Sequence, residues 1–90
     1  MTMKRCVILG ATRGMGRSIA RRMVERGDWV AILGRDQFEL ERSAADLRAR
    51  GVPGVRVVTA VCDLENPATF GLALDVAMQA LDGIDCVVVT

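Results

Sequence analysis

Short runs of β-branched and aliphatic residues alternate along this chain with three longer amphipathic stretches, and that alternation admits few folds. Each helical stretch is long enough to carry the chain back to the same edge of a sheet, so successive strands run parallel. Right-handed crossovers then place helices on both faces of an open α/β sheet. Cys6-Val7-Ile8-Leu9 is continuous and apolar, as a strand covered on both faces requires.

The first helix is expected from Met15 to Arg26. Met15, Ile19, Met23 and Val24 form its dry side, Arg17, Arg21, Arg22 and Glu25 its wet side, and Gly27 stops it. The arginine face is read as solvated, with Arg21 and Arg22 near Glu25 at helical spacing. Trp29 to Leu33 is the second strand. Asp36 then opens a helix as N-cap, with Glu39 reaching back in a capping box and Leu40, Ala44 and Leu47 on the buried face up to Gly51. Val55 to Val61 reads as the third strand. Asn66-Pro67 starts a third helix, whose stripe is Phe70, Leu74, Ala77, Met78 and Leu81 and whose end is Asp82-Gly83. Cys86 to Thr90 is the fourth strand. With the first strand central, the sheet order is 3-2-1-4, a Rossmann-like arrangement and an incomplete half of a doubly wound fold. A flavodoxin-like order is the alternative that the pattern leaves open.

Ninety residues, 51% hydrophobic and 26% charged, are enough for a single domain over 1–90 and too few for two cores. The net charge of +1 argues against nucleic acid or an anionic membrane as partner. Between Lys4 and Arg26, however, seven cations (Lys4, Arg5, Arg13, Arg17, Arg21, Arg22, Arg26) face Glu25 alone, which suits a small anionic ligand. No apolar run approaches the roughly 18 residues of a membrane span, and no signal segment is legible, so a cytoplasmic location is expected. Cys6, Cys62 and Cys86 lie far apart and each adjoins a valine. They read as buried reduced thiols, with neither a disulfide framework nor a metal or redox motif. His and Tyr are both absent, which removes the commonest neutral-pH acid/base group and one frequent substitute.

Gly10-Ala11-Thr12-Arg13-Gly14-Met15-Gly16 joins the first strand to the first helix. A phosphate needs close approach to bare backbone and the positive end of a helix, and glycines at 10, 14 and 16 permit both. Glycine serves any tight strand-to-helix turn as well. The spacing excludes two phosphate loops. A Walker loop needs four residues between its glycines and then Lys, whereas five residues separate Gly10 from Gly16 and Arg17 follows. A G-x-G-x-x-G fingerprint counted from Gly14 places Ile19 at its third glycine.

The remaining pattern, G-x3-G-x-G, resembles the cofactor loop of the short-chain dehydrogenase/reductase family. The resemblance covers the whole chain. Asp63-Leu64 is similar to the acid-plus-aliphatic pair that flanks the adenine ring in that family, and Asp85-Cys86-Val87-Val88 to its fourth strand. Two departures stand out: Leu9 where the family commonly has Thr, and Val89-Thr90 where it often has Asn-Asn. The resemblance implies binding of NAD or NADP by Gly10, Thr12, Arg13, Gly14, Met15, Gly16, Gly34, Arg35, Asp63 and Leu64.

Cofactor choice follows from charge. An acid at the end of strand two would hold the ribose hydroxyls of NAD and repel a 2′-phosphate, but Gly34 stands there and Arg35 follows. Arg35 and Arg13 could grip that phosphate from two sides, so NADP is expected and NAD is the alternative. Both arginines could also be solvated, with Arg35 pairing to Asp36. The family's catalytic Tyr, Lys and Ser lie beyond the fourth strand, and this chain has no Tyr and no Lys after Lys4. The expectation is the cofactor-binding portion of an NADP-dependent oxidoreductase, with no catalytic residue here; a non-catalytic dinucleotide-binding or interaction module is the alternative. The valine edge of strand four is expected to support self-association.

Overall fold

The computed structural model describes residues 3–90. The elements in chain order are β1 (Arg5–Leu9), α1 (Gly14–Arg26), β2 (Trp29–Gly34), α2 (Gln37–Arg50), β3 (Val57–Val61), α3 (Pro67–Leu81) and β4 (Cys86–Val89). All strand pairs are parallel and the order is β3-β2-β1-β4, the order expected with β1 central, and not the flavodoxin-like alternative. Among the described residues no helix is long and apolar enough to cross a membrane.

Strand alternation divides the core into two layers. Ile8, Val30, Ile32 and Val57 point to one side and pack with Ala20 and Val24 of α1 and Leu40, Ala44 and Leu47 of α2. Val7, Leu9, Ala31, Leu33 and Ala60 point to the other and pack with Ala73, Ala77 and Leu81 of α3. Burial on both faces is why β1 and β2 read as unbroken apolar runs.

Capping explains most boundaries. The left-handed Gly27 (φ 99°) lets its N–H reach the Met23 and Val24 carbonyls and end α1. The Asp36 carboxylate accepts from the Phe38 and Glu39 amides and starts α2. Glu39 does not complete the capping box; its side chain accepts instead from the Arg13 guanidinium, a partner of full opposite charge. At the end of α3, Asp82 takes the left-handed conformation (φ 61°).

Several expectations need correction. β3 begins at Val57, because the Val55 N–H closes a turn onto the Val52 carbonyl and ladder bonding starts only at the Arg56 carbonyl. Met15 and Met78, read as core, are 74% and 52% exposed. The buried faces run instead through Gly16, Ala20 and Val24 in α1 and Ala73, Ala77 and Leu81 in α3. Arg17 is not simply solvated: its guanidinium donates to Ser43 Oγ at 3.0 Å and to Asp46 at 2.5 Å, tying α1 to α2. The Arg21–Glu25 pair forms at 4.0 Å.

The largest correction concerns the cysteines. Cys6 and Cys86 are joined as a disulfide, and only Cys62 is a free, buried thiol. Their separation of 80 residues hides the pairing in the sequence. Placing β4 beside β1 sets Cys6 opposite Cys86, with Cα atoms 4.8 Å apart, a spacing that suits both neighbouring strands and a bridge. The cysteines therefore give no argument for a reducing compartment.

Two carboxylates fasten the opposite end of the sheet from the glycine loop. Asp28 is almost wholly buried and accepts from the Lys4 amide and the Arg26 guanidinium. Burial pushes its carboxyl up, but those donors outweigh it and hold the group below its ordinary value. Asp85 accepts from the side chain and the amide of Arg5 at 3.1 and 2.8 Å, and these bonds lower its pKa.

Candidate functional site

The carboxyl ends of β1, β2 and β3 and the start of α1 form a cleft on the edge of the molecule. β1 passes into the glycine loop at Gly10, whose left-handed backbone (φ 91°) turns the chain away from the sheet while its N–H still bonds to the Leu33 carbonyl. Thr90, just past β4, holds the turn. Its N–H donates to the Leu9 carbonyl at 3.1 Å, and its hydroxyl lies 3.1 Å from that oxygen and 3.4 Å from the Gly10 carbonyl.

The start of α1 differs from that of α2. Arg13 at its N-cap is extended (φ −145°, ψ 161°), no side chain caps the helix, and its first turn carries no acid. The first-turn amides and the positive end of the helix dipole are thus available to an anion. Among the described residues, and apart from its chain neighbours and the backbone of its own helix, nothing lies within 4 Å of where a Cβ on Gly14 (φ 58°) would stand, so the space above it is open. Gly16 is tight: a Cβ there would collide with the Gly10 carbonyl oxygen and approach Thr90 Oγ1 to 2.7 Å. This bare, uncapped turn fits the diphosphate of a dinucleotide, by the chemistry of its donors and by its open side.

Most of the sequence-predicted residues meet around two adjoining cavities. One, of about 700 Å³, is lined by Gly10, Thr12, Arg13, Gly34, Arg35, Asp36, Gln37 and Glu39. The other, of about 330 Å³, has largely aliphatic walls, and Leu9, Leu33, Cys62 and Leu64 line it with Gly10, Gly34, Arg35, Asp63 and Thr90. Gly10, Gly34 and Arg35 belong to both. Gly14, Met15 and Gly16 line neither; they sit at the head of α1.

The charged groups are held unequally. Arg35 is exposed and, among the described residues, makes no side-chain hydrogen bond or ion pair, so the alternative pairing with Asp36 does not occur. Arg13 donates to Glu39 at 2.9 Å, and this bond raises the guanidinium pKa above its ordinary value. A Cβ on Gly34 would meet only the end of Leu40, at an ordinary 3.4 Å, so packing does not demand glycine there. Asp63 accepts from the Glu65 amide at 3.0 Å through one oxygen, a turn role that leaves the other oxygen without a bond among the described residues. The Asp63 N–H donates to Thr69 Oγ1 at 2.8 Å, which anchors this corner to α3.

Sequence reasoning missed Thr90, Thr69 and Cys62 as parts of the site. Thr90 was open to discovery once β4 was placed beside β1, since Leu9 pairs with Val89 and the next step brings Thr90 to Gly10. Thr69 and Cys62 carry no signal of their own.

The sequence matches the short chain dehydrogenase family over residues 4–90. 3-Ketodihydrosphingosine reductase of Cryptococcus neoformans var. neoformans serotype D is 34% identical over 76 residues, which is 84% of this chain and 23% of that protein. The alcohol dehydrogenase from the archaeon Thermococcus sibiricus, complexed with 5-hydroxy-NADP, superposes with a TM-score of 0.85 at 29% identity, covering 96% of this chain and 36% of that one. NAD+-bound xylitol dehydrogenase superposes with a TM-score of 0.84 at 27% identity, covering 93% and 31%. This chain therefore spans between 23% and 36% of the length of these proteins. The family match runs from the residue before the first strand to the residue after the last, and the chain belongs to the short-chain dehydrogenase family.

Proposed function

We propose that this chain forms the cofactor-binding part of an NADP-dependent short-chain dehydrogenase/reductase, an oxidoreductase that moves a hydride between a nicotinamide and a carbonyl or alcohol substrate. One observation carries the preference for NADP. At the end of β2 the position that would hold an acid for NAD is Gly34, and the unpaired Arg35 beside it shares a cavity with Arg13. The alcohol dehydrogenase complexed with 5-hydroxy-NADP supports this reading, while NAD+-bound xylitol dehydrogenase keeps NAD as the competitor to be tested.

Each residue has a distinct part. The amides of Gly14, Met15 and Gly16 hold the diphosphate, with Gly10 and Thr12 shaping the turn beneath it. Arg35 and Arg13 hold the 2′-phosphate by charge-assisted bonds. Asp63, through its unused oxygen, and Leu64 flank the adenine. When bound, the nicotinamide supplies or accepts the hydride. These 90 residues contain neither Tyr nor His, so their work is binding and orientation, and the proton that accompanies hydride transfer is handled by other groups.

Titration calorimetry with Arg35→Ala tests the reading. NADP+ affinity should fall about 10- to 100-fold, as expected for a lost bond between charged groups, and NAD+ affinity should change little. Equal losses for both cofactors would remove the 2′-phosphate argument.

A further inference from the structure

The two arginines of the cleft are not equally ready for an anion. Arg35 carries no partner among the described residues, whereas Arg13 is already committed to Glu39. Glu39 occupies the third position of α2, where the sequence pattern would send its carboxylate back to the Asp36 amide. It abandons that bond and bridges the glycine loop to α2 instead.

The bridge stands at a junction. Thr12, Arg13 and Glu39 line both the cavity that contains Arg35 and a second one, of about 370 Å³, whose far wall is Arg17, Arg42, Ser43 and Asp46. The Arg13 side chain is 81% exposed against 35% for Glu39, so the guanidinium is open to water and its partner can be exchanged. A phosphate arriving at Arg35 meets a neighbouring cation neutralised by Glu39 and a second carboxylate on Asp36, which is held in place by the α2 amides.

Resting on the NADP reading above, we infer that Glu39 is a specificity-determining residue: it occupies Arg13 in a pair that a 2′-phosphate must break, and so holds NADP affinity below what the two arginines together would give. NAD, with hydroxyls at that place, gains nothing from Arg13 and is indifferent to the pair. The cofactor exchanges one anion for another on Arg13, and the cost of that exchange is the loss of the pair with Glu39.

Calorimetry of the 90-residue chain with NADP+ and with NAD+ tests this, comparing the unmodified protein, Glu39→Gln, Arg13→Ala and the double variant. Glutamine keeps the length of the side chain and suits the helix start, and Glu39→Ala provides a second removal of the charge. Both single changes at 39 should tighten NADP+ about 3- to 10-fold and leave NAD+ within about twofold. The gain should vanish when Arg13 is also alanine, because nothing is left to release. Unchanged NADP+ affinity, an equal gain for both cofactors, or a gain that survives the loss of Arg13 overturns the inference. If NADP+ still outbinds NAD+ and Arg35→Ala abolishes the difference, the cofactor reading survives that failure. If the unmodified chain binds neither cofactor, both fall together.

Discussion

A Cβ at residue 16 would strike the Gly10 carbonyl oxygen, while one at residue 14 would meet no described atom beyond its own turn within 4 Å. The two glycines of the loop therefore answer different demands, one set by the fold and the other by whatever fills the open space. Gly16→Ala should overpack a backbone contact and cost about 1–3 kcal/mol of stability. Gly14→Ala meets no clash and carries only the strain of a left-handed residue, about 1–2 kcal/mol, yet plants a methyl group where the diphosphate would approach. Thermal melts with calorimetry distinguish the two. Gly14→Ala should remain folded and lose NADP+ affinity, and undiminished affinity would contradict the role given to the turn. Residue chemistry was legible where it was local: Gly10, Gly14 and Gly16 announced a turn by spacing alone. It was illegible for Glu39, because a capping-box pattern says nothing of an arginine 26 positions earlier that the fold delivers beside it.

Elements were legible wherever a period or a cap marked them. Gly27, Asp36 and Pro67 fixed helix ends by backbone requirements that hold in any fold. Val55 failed because an apolar residue at a turn looks like one in a strand; it packs into the core while its amide closes the turn. Arg17 failed because a wet helix face becomes a joint once α2 lies alongside and offers Ser43 and Asp46. The disulfide is a property of two adjacent elements and of neither alone. Register pairs Cys6 with Cys86, so a thiol assay on denatured, non-reduced chain should count one free group, Cys62. A count of three would show that the facing cysteines remain reduced.

For the molecule as a whole, the alternation of short apolar runs and amphipathic stretches was enough to reach a parallel sheet of order 3-2-1-4 with helices on both faces. Central β1 and β2 are buried from Cys6 to Leu9 and from Val30 to Leu33, whereas β4 leaves Val87 and Val89 exposed at 49% and 66%. We propose that the self-association expected of the valine edge of strand four uses that surface. The order of the strands also gathers Gly10, Gly34, Arg35 and Asp63, which lie up to 53 residues apart, at one end of the sheet. That convergence at a switch point is the physical basis of the whole functional reading. Amide correlation spectra of the chain titrated with NADP+ examine it directly. The Gly14, Met15, Gly16 and Arg35 amides should shift together and saturate at a common concentration. Loop amides that stay still while the outer side of α3 or the edge of β4 responds would contradict the account.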